Sequence, residues 1–203
     1  MTLAIKPDTL DTVLADIWMR LVRGGADRRS AFHTPVVASV DAEGLPQQRV
    51  MVLRKCVEAD ATMRFHTDLR SAKVGEIAGG RRVNVLGYDP AAKIQIRASG
   101  LAIVMDKGDV ADAAWLASSP SSRRCYLTRY GPGSVTDKPI SGLPASLESR
   151  VPERSETEAG RINFAVLTVT LDKLEWLYPA HDGHVRARFA HQPDGWGGQW
   201  LIP

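Results

Sequence analysis

Two runs of strand-like period, residues 34–40 and 47–57, are separated by little more than the turn signal Asp41-Ala42-Glu43-Gly44. A link that short closes a hairpin and has no room for the dozen or more residues of a crossover helix, so the first two strands must be antiparallel. A doubly wound parallel sheet is thereby disfavoured, and no GxGxxG or Walker-type loop argues for one.

The rest of the chain extends the same pattern. A third strand over 62–67 leads into a short helix over 71–78, closed by Gly79-Gly80. Strands follow at 82–88 and 93–105. In the second of these Lys93, Gln95, Arg97 and Ser99 alternate with Ile94, Ile96 and Ala98, which predicts one donor-rich and one apolar face. Strand period returns at 162–171, 174–178, 185–191 and 196–202. Before the first hairpin, Leu10, Val13, Leu14, Ile17, Trp18 and Leu21 recur on one helical face, with Gly24-Gly25 as the expected stop. Residues 109–117 and 121–130 read as helices, and 131–160, rich in Pro, Ser, Gly and Glu, as a long surface loop. The expectation is a single domain over 1–203, mainly β with helices (α+β). It is an antiparallel β-barrel with a helical N-terminal arm over 1–30, and the last strands close onto the early ones.

With 44% hydrophobic and 24% charged residues, the chain has the composition of a globular domain with its own core. A formal net charge of +3 is far from the basic stripe of a nucleic-acid binder, and a small anion is partner enough. Cys56 and Cys125 have no CxxC spacing and read as inert thiols outside any disulfide framework or zinc knuckle. No apolar run approaches the roughly 20 residues of a membrane span, and no signal pattern is visible, so the expectation is a soluble cytoplasmic protein without membrane or nucleic-acid partners. His181, His184 and His191 lack carboxylate or cysteine at ligand spacing, and no metal site is expected.

The chemistry concentrates in Arg49-Val50-Met51-Val52-Leu53-Arg54-Lys55 and in the segment from Phe65 to Lys73. A phosphate monoester carries close to two negative charges and several acceptor oxygens, so it asks for guanidinium, ammonium and hydroxyl donors together. Arg49, Thr67, Ser71 and Lys73 supply those types, and the strand-to-helix junction at 68–71 adds free backbone N–H groups. Singly, each reads as a surface charge or a helix cap; together they describe a phosphate cradle. Later in the chain, Arg186 and Arg188 share one strand face by parity.

These residues resemble those of the pyridoxamine 5'-phosphate oxidase-like flavoproteins, from about residue 34 to the end. The matching pieces are the Arg49 to Arg54 strand, His66-Thr67 with Ser71 and Lys73, Gln95, and then Arg188, Trp196 and the final Leu201-Ile202-Pro203. The resemblance implies an FMN-binding split β-barrel that forms a homodimer with flavin at the subunit interface. Arg49, Ser71 and Lys73 would hold the FMN phosphate, Val50, Met51, Val52, Leu53, Arg54, His66, Thr67 and Tyr178 would lie along the cofactor, and Gln95 and Arg188 would reach it from the neighbouring subunit. Arg54, His184 and Arg186 are the implied contacts to a small-molecule substrate, with no general base assigned.

The sequence also departs from the family pattern. His66 stands for a Tyr, Ala72 for a phosphate-contacting Arg, and Arg54 for a Lys. Trp115, Ser119 and Arg123 replace the Tyr, Arg and Ser that grip the substrate phosphate, and His184 and Arg186 exchange the family's Arg and His. The implied function is an FMN-dependent oxidoreductase whose substrate need not be a B6 phosphate. The alternatives are a non-catalytic flavin carrier or sensor, and a basic anion-binding module that never holds flavin.

Overall fold

In the turn at 41–44, Asp41 Oδ1 accepts from the backbone N–H groups of Glu43 at 3.0 Å and Leu45 at 2.9 Å, and Gly44 takes φ +83°. The hairpin it closes joins β1 (Val36–Val40) to β2 (Pro46–Val50) in antiparallel register, with Val37 opposite Arg49. The computed structural model describes residues 7–181 and 183–203.

The single strand expected over 47–57 is two. β2 pairs with β1, whereas β3 (Leu53–Val57) pairs with β4 (Thr62–Asp68). Between them the Met51 N–H donates to Pro35 O and the Leu53 N–H to His33 O, so the chain changes partner without losing its apolar period. A register shift between Leu53 and Lys55 then re-aims the side chain of Arg54.

After β4 come α2 (Ala72–Ile77), β5 (Arg81–Asp89), β6 (Ile94–Met105) and α3 (Asp109–Ala117). The helix expected over 121–130 is α4 (Pro120–Arg123) plus a 3-10 turn, Arg124–Leu127, and residues 128–130 are not helical. The expected loop at 131–160 is largely exposed but carries its own turns, a 3-10 turn Ala145–Leu147 and α5 (Arg154–Thr157), the latter closed by a Glu153/Glu156 capping box. Leu147 and Thr157 anchor it by burial.

The two strands expected at 162–171 and 174–178 are one, β7 (Phe164–Tyr178), followed by β8 (Val185–Gln192) and β9 (Gly195–Leu201). β7 is 15 residues long and takes two partners along one edge, β4 beside its first half and β8 beside its second. The sheet runs β2-β1-β5-β6-β7-β4-β3, all antiparallel, with β8 and β9 branching from β7. It is not closed: of the late strands β7 pairs with the early strand β4, as expected, whereas β8 and β9 reach no early strand. The spare edge of β7 captures them first.

α1 (Leu10–Ala26) fills the opening by packing on β3, β8 and β9, with Val13, Ile17, Trp18 and Leu21 buried in the main core. Within the arm expected over 1–30, residues 10–26 are therefore a core element, and residues 1–6 lie outside the described residues. Gly24-Gly25 does not stop this helix but lies in its last turn. A Cβ on Gly24 would fall 2.6 Å from Phe32 O, so the glycine serves close approach. A smaller core of Trp115, Tyr126, Phe164 and Val166 seats α3 and the 3-10 turn after α4 on β7.

Candidate functional site

The change of partner at 51–52, the end of β4 and the start of α2 open onto one groove of about 570 Å³. Arg49, Val50, Met51, Val52 and Arg54 line it from the first of these, His66, Thr67 and Asp68 from the second, and Ser71, Ala72 and Lys73 from the third. Ser122, Cys125, Tyr126, Pro132 and Gly133 form the opposite wall.

The polar side chains in it are already ordered. Ser71 Oγ donates to Asp68 O at 2.7 Å, and Lys73 Nζ donates to Ser71 Oγ at 3.0 Å and to Thr67 Oγ1 at 3.5 Å. Burial, and then the nearby Arg49 guanidinium, lower the Lys73 pKa, while Glu76 and Asp68 oppose them. Arg49 donates to Glu76 Oε2 at 2.7 Å and also to Ser39 Oγ, which fixes its fork against α2. The carboxylate of Asp68 faces Arg70, at 2.7 Å, so its charge is spent outside the cluster. His66 packs edge-on against Phe164, with ring centroids 4.9 Å apart. Burial and the charge of Arg54 push its pKa down to about 4, so the imidazole is neutral near pH 7. Arg54 Nε is buried with no partner among the described residues.

Nine of the sequence-predicted residues thus share one groove: Arg49, Val50, Met51, Val52, Arg54, His66, Thr67, Ser71 and Lys73. Leu53 does not. Alternation turns its side chain into the main core, where it is fully buried opposite Phe65. Gln95, Tyr178, His184, Arg186 and Arg188 also lie elsewhere. Gln95, Leu177 and Arg186 form one cross-strand row, and Arg97, Glu175, Arg188 and Gln199 the next. In these rows Arg186 donates to Glu175 at 2.7 Å and Arg188 to Gln199 at 3.1 Å. Tyr178 stacks on Trp176 at 6.2 Å, and His184 is exposed just before β8.

The sequence reading did not place Ser122, Cys125 and Tyr126 in the groove wall or pair Glu76 with Arg49. No local pattern signals those contacts, which bridge elements far apart in the chain. Trp115 and Arg123 occupy two of the three positions where the resemblance puts the grip on the substrate phosphate. Both are buried: Arg123 sits 4.3 Å over the Trp115 ring and donates to Trp115 O, Thr157 and Glu158. The Cys56 thiol, buried in the main core, is pushed up to about 12, and burial also raises that of Cys125.

Residues 16–106, the stretch that supplies most of this groove, match the family described as pyridoxamine 5'-phosphate oxidase, FMN-binding domain. Over that stretch the chain is similar to pyridoxamine 5'-phosphate oxidases. It is 29% identical over 209 residues to a pyridoxine/pyridoxamine 5'-phosphate oxidase of Sphingopyxis alaskensis, covering 100% of this chain and 91% of that one. It is likewise 29% identical over 172 residues to the enzyme of the same name from Anaplasma phagocytophilum, covering 83% and 81%. Among solved structures, a pyridoxamine 5'-phosphate oxidase-related, FMN-binding protein of Nostoc punctiforme superposes with a TM-score of 0.71 at 23% identity, over 93% of this chain and 96% of that one. That last likeness shows the shared fold.

Proposed function

We propose that this protein is an FMN-dependent oxidoreductase with a substrate other than a B6 phosphate. The observation that carries the flavin half is the convergence of Arg49, Thr67, Ser71 and Lys73 on one groove beside the Val50-Met51-Val52 stretch. Two cations and two hydroxyls at a helix start are the donor set a phosphate monoester requires, and the chemistry of that set fits the group. FMN supplies the hydride-accepting ring when bound, and the chain's own residues orient it. Arg49 and Lys73 hold the phosphate, with Ser71 keeping Lys73 in place, and neutral His66 with Arg54 lies further along the same groove.

The substrate half rests on Trp115 and Arg123. Both are buried against Glu158 and Thr157, so neither side chain reaches a ligand at the positions where the resemblance places the grip on a B6 phosphate. The rows carrying Gln95, Arg186 and Arg188 lie outside the groove of their own chain, an arrangement suited to completing the groove of a second copy. We therefore read the active form as a homodimer.

Titrating the purified protein with FMN while following quenching of flavin fluorescence tests the reading. Arg49→Ala and Lys73→Ala should each weaken binding by about 10- to 150-fold, the range for losing a charge-assisted hydrogen bond of roughly 1.5–3 kcal/mol. The flavin-loaded species should sediment at twice the mass of one chain. Absence of FMN binding, or unchanged affinity in both variants, would refute the assignment of the groove. Flavin bleaching by pyridoxamine or pyridoxine 5'-phosphate under anaerobic conditions would refute the substrate half alone.

A further inference from the structure

A second cavity, of about 470 Å³, opens beside the groove and shares Arg54, His66 and Ser122 with it. Its other cationic side chains are Arg28, Lys55 and Arg64, and among the described residues no carboxylate lines it. Among the described residues none of these four cations forms an ion pair, whereas Arg49, Arg70, Arg123 and Arg186 each have an acid within 2.7 Å. Lys55 and Arg64 stand directly opposite each other on β3 and β4, and like charges so placed destabilise a sheet. Among the described residues the Nε atoms of Arg54 and Arg64 are buried without a partner, as is the hydroxyl of Thr168, which faces Arg64 across β4 and β7. Buried orphan donors among uncompensated like charges cost stability unless an anion meets them.

We propose that this cavity is an anion subsite for an organic acid carrying at least two negative charges, its charged end held among Arg28, Lys55 and Arg64 and its body extending toward Arg54 and His66 at the junction with the groove. As the site of the oxidisable substrate it rests on the flavin reading; as an anion site it stands without it. The four unpaired cations set the charge number. Of the three positions where the family pattern puts the phosphate grip only Ser119 lines this cavity, and it carries no charge, so the charge that selects the ligand comes from Arg28, Lys55 and Arg64.

The test is calorimetric titration of the protein, with and without FMN, using pyridoxine 5'-phosphate as a phosphate dianion, pyridine-2,6-dicarboxylate as a dicarboxylate, and benzoate as a single charge. At least one dianion should bind about tenfold or more tightly than benzoate, with affinity that falls as salt rises. Arg64→Gln should weaken that binding by about tenfold and Arg64→Lys should largely restore it, since the charge returns without the fork. Arg28→Gln, at an exposed position where folding is not at stake, should weaken it as well. Binding by the phosphate but not the dicarboxylate, or the reverse, supports the subsite and shows which charged group it takes. No binding of either dianion to folded protein, or affinity unchanged in both Gln variants, overturns it. Arg28 and Arg64 do not line the groove, so FMN affinity is a separate reading. A protein that binds FMN but no dianion refutes the subsite alone, and one that binds a dianion but no FMN refutes the flavin assignment alone.

Discussion

The groove and the cavity beside it are both rich in cations, yet they treat their charge in opposite ways. In the groove, Arg49 is held by Glu76 and Ser39, and Lys73 by Ser71 and Thr67. In the cavity, Arg28, Lys55 and Arg64 have no acid among the described residues, and Arg64 keeps a buried N–H unmet. A preorganised cluster loses little side-chain freedom when its ligand arrives and can be selective by shape. An uncompensated one has a strong field and loose geometry, so it sorts ligands by charge number. Cofactor retention suits the first arrangement and substrate exchange the second.

The wall shared by the two regions is the place to break this contrast most severely. Arg123 is fully buried, with its guanidinium on Trp115 O and against Glu158. Arg123→Ala removes both donors to that carbonyl and leaves a void under Trp115. Glu158 stays largely in water, so no buried acid is orphaned. The expected loss is about 3 kcal/mol in denaturant unfolding, from an unmet buried acceptor together with lost packing. If both sites depend on this wall, FMN and dianion affinity fall together. If stability is unchanged, Arg123 is not the strut described here.

His66 sharpens the contrast, because it lines both regions. Its folded pKa of about 4 lies below the 6.5 of an unfolded histidine, through burial first and the charge of Arg54 second. Between those values the unfolded chain binds a proton that the folded chain refuses. Stability is therefore present above pH 6.5 and is lost as pH falls toward 4, by about 1.4 kcal/mol per unit. His66→Phe should flatten that slope in unfolding measured across the window. A dianion seated beside Arg54 should offset its charge and move the His66 titration, followed by NMR, back upward. An unmoved titration at saturating dianion would place the ligand away from Arg54.

How much of this was legible in the sequence divides along the same line. The antiparallel hairpin at 41–44, the two-faced strand β6 and α3 all followed from local period and turn chemistry. Arg49, Thr67, Ser71 and Lys73 were legible because phosphate chemistry restricts residue type, and β4 and α2 are adjacent in the chain. The division of 47–57 and the fusion of 164–178 were not, because pairing partners make those decisions. The cavity was not legible either. Arg28, Lys55 and Arg64 come from three elements, and their common feature, the lack of a nearby acid, exists only after folding.

The smallest effect tests whether the groove is as ordered as its hydrogen bonds imply. Ser71 Oγ donates to Asp68 O and accepts from Lys73 Nζ, so it is the link that aims the ammonium into the groove. Ser71→Ala removes two neutral hydrogen bonds, to Asp68 O and with Thr67 Oγ1, and one charge-assisted one, while keeping the backbone of the helix start, where the Ser71 side chain makes no capping bond. The expected result is FMN binding weakened by about three- to tenfold, which corresponds to roughly 0.5–1.5 kcal/mol, with dianion binding in the neighbouring cavity unchanged. A loss as large as that of Lys73→Ala would mean the hydroxyl itself carries the phosphate. No loss, with Lys73→Ala still damaging, would mean that the ammonium finds its position without a guide, and the distinction drawn between an ordered groove and a loose cavity would then disappear on the groove side.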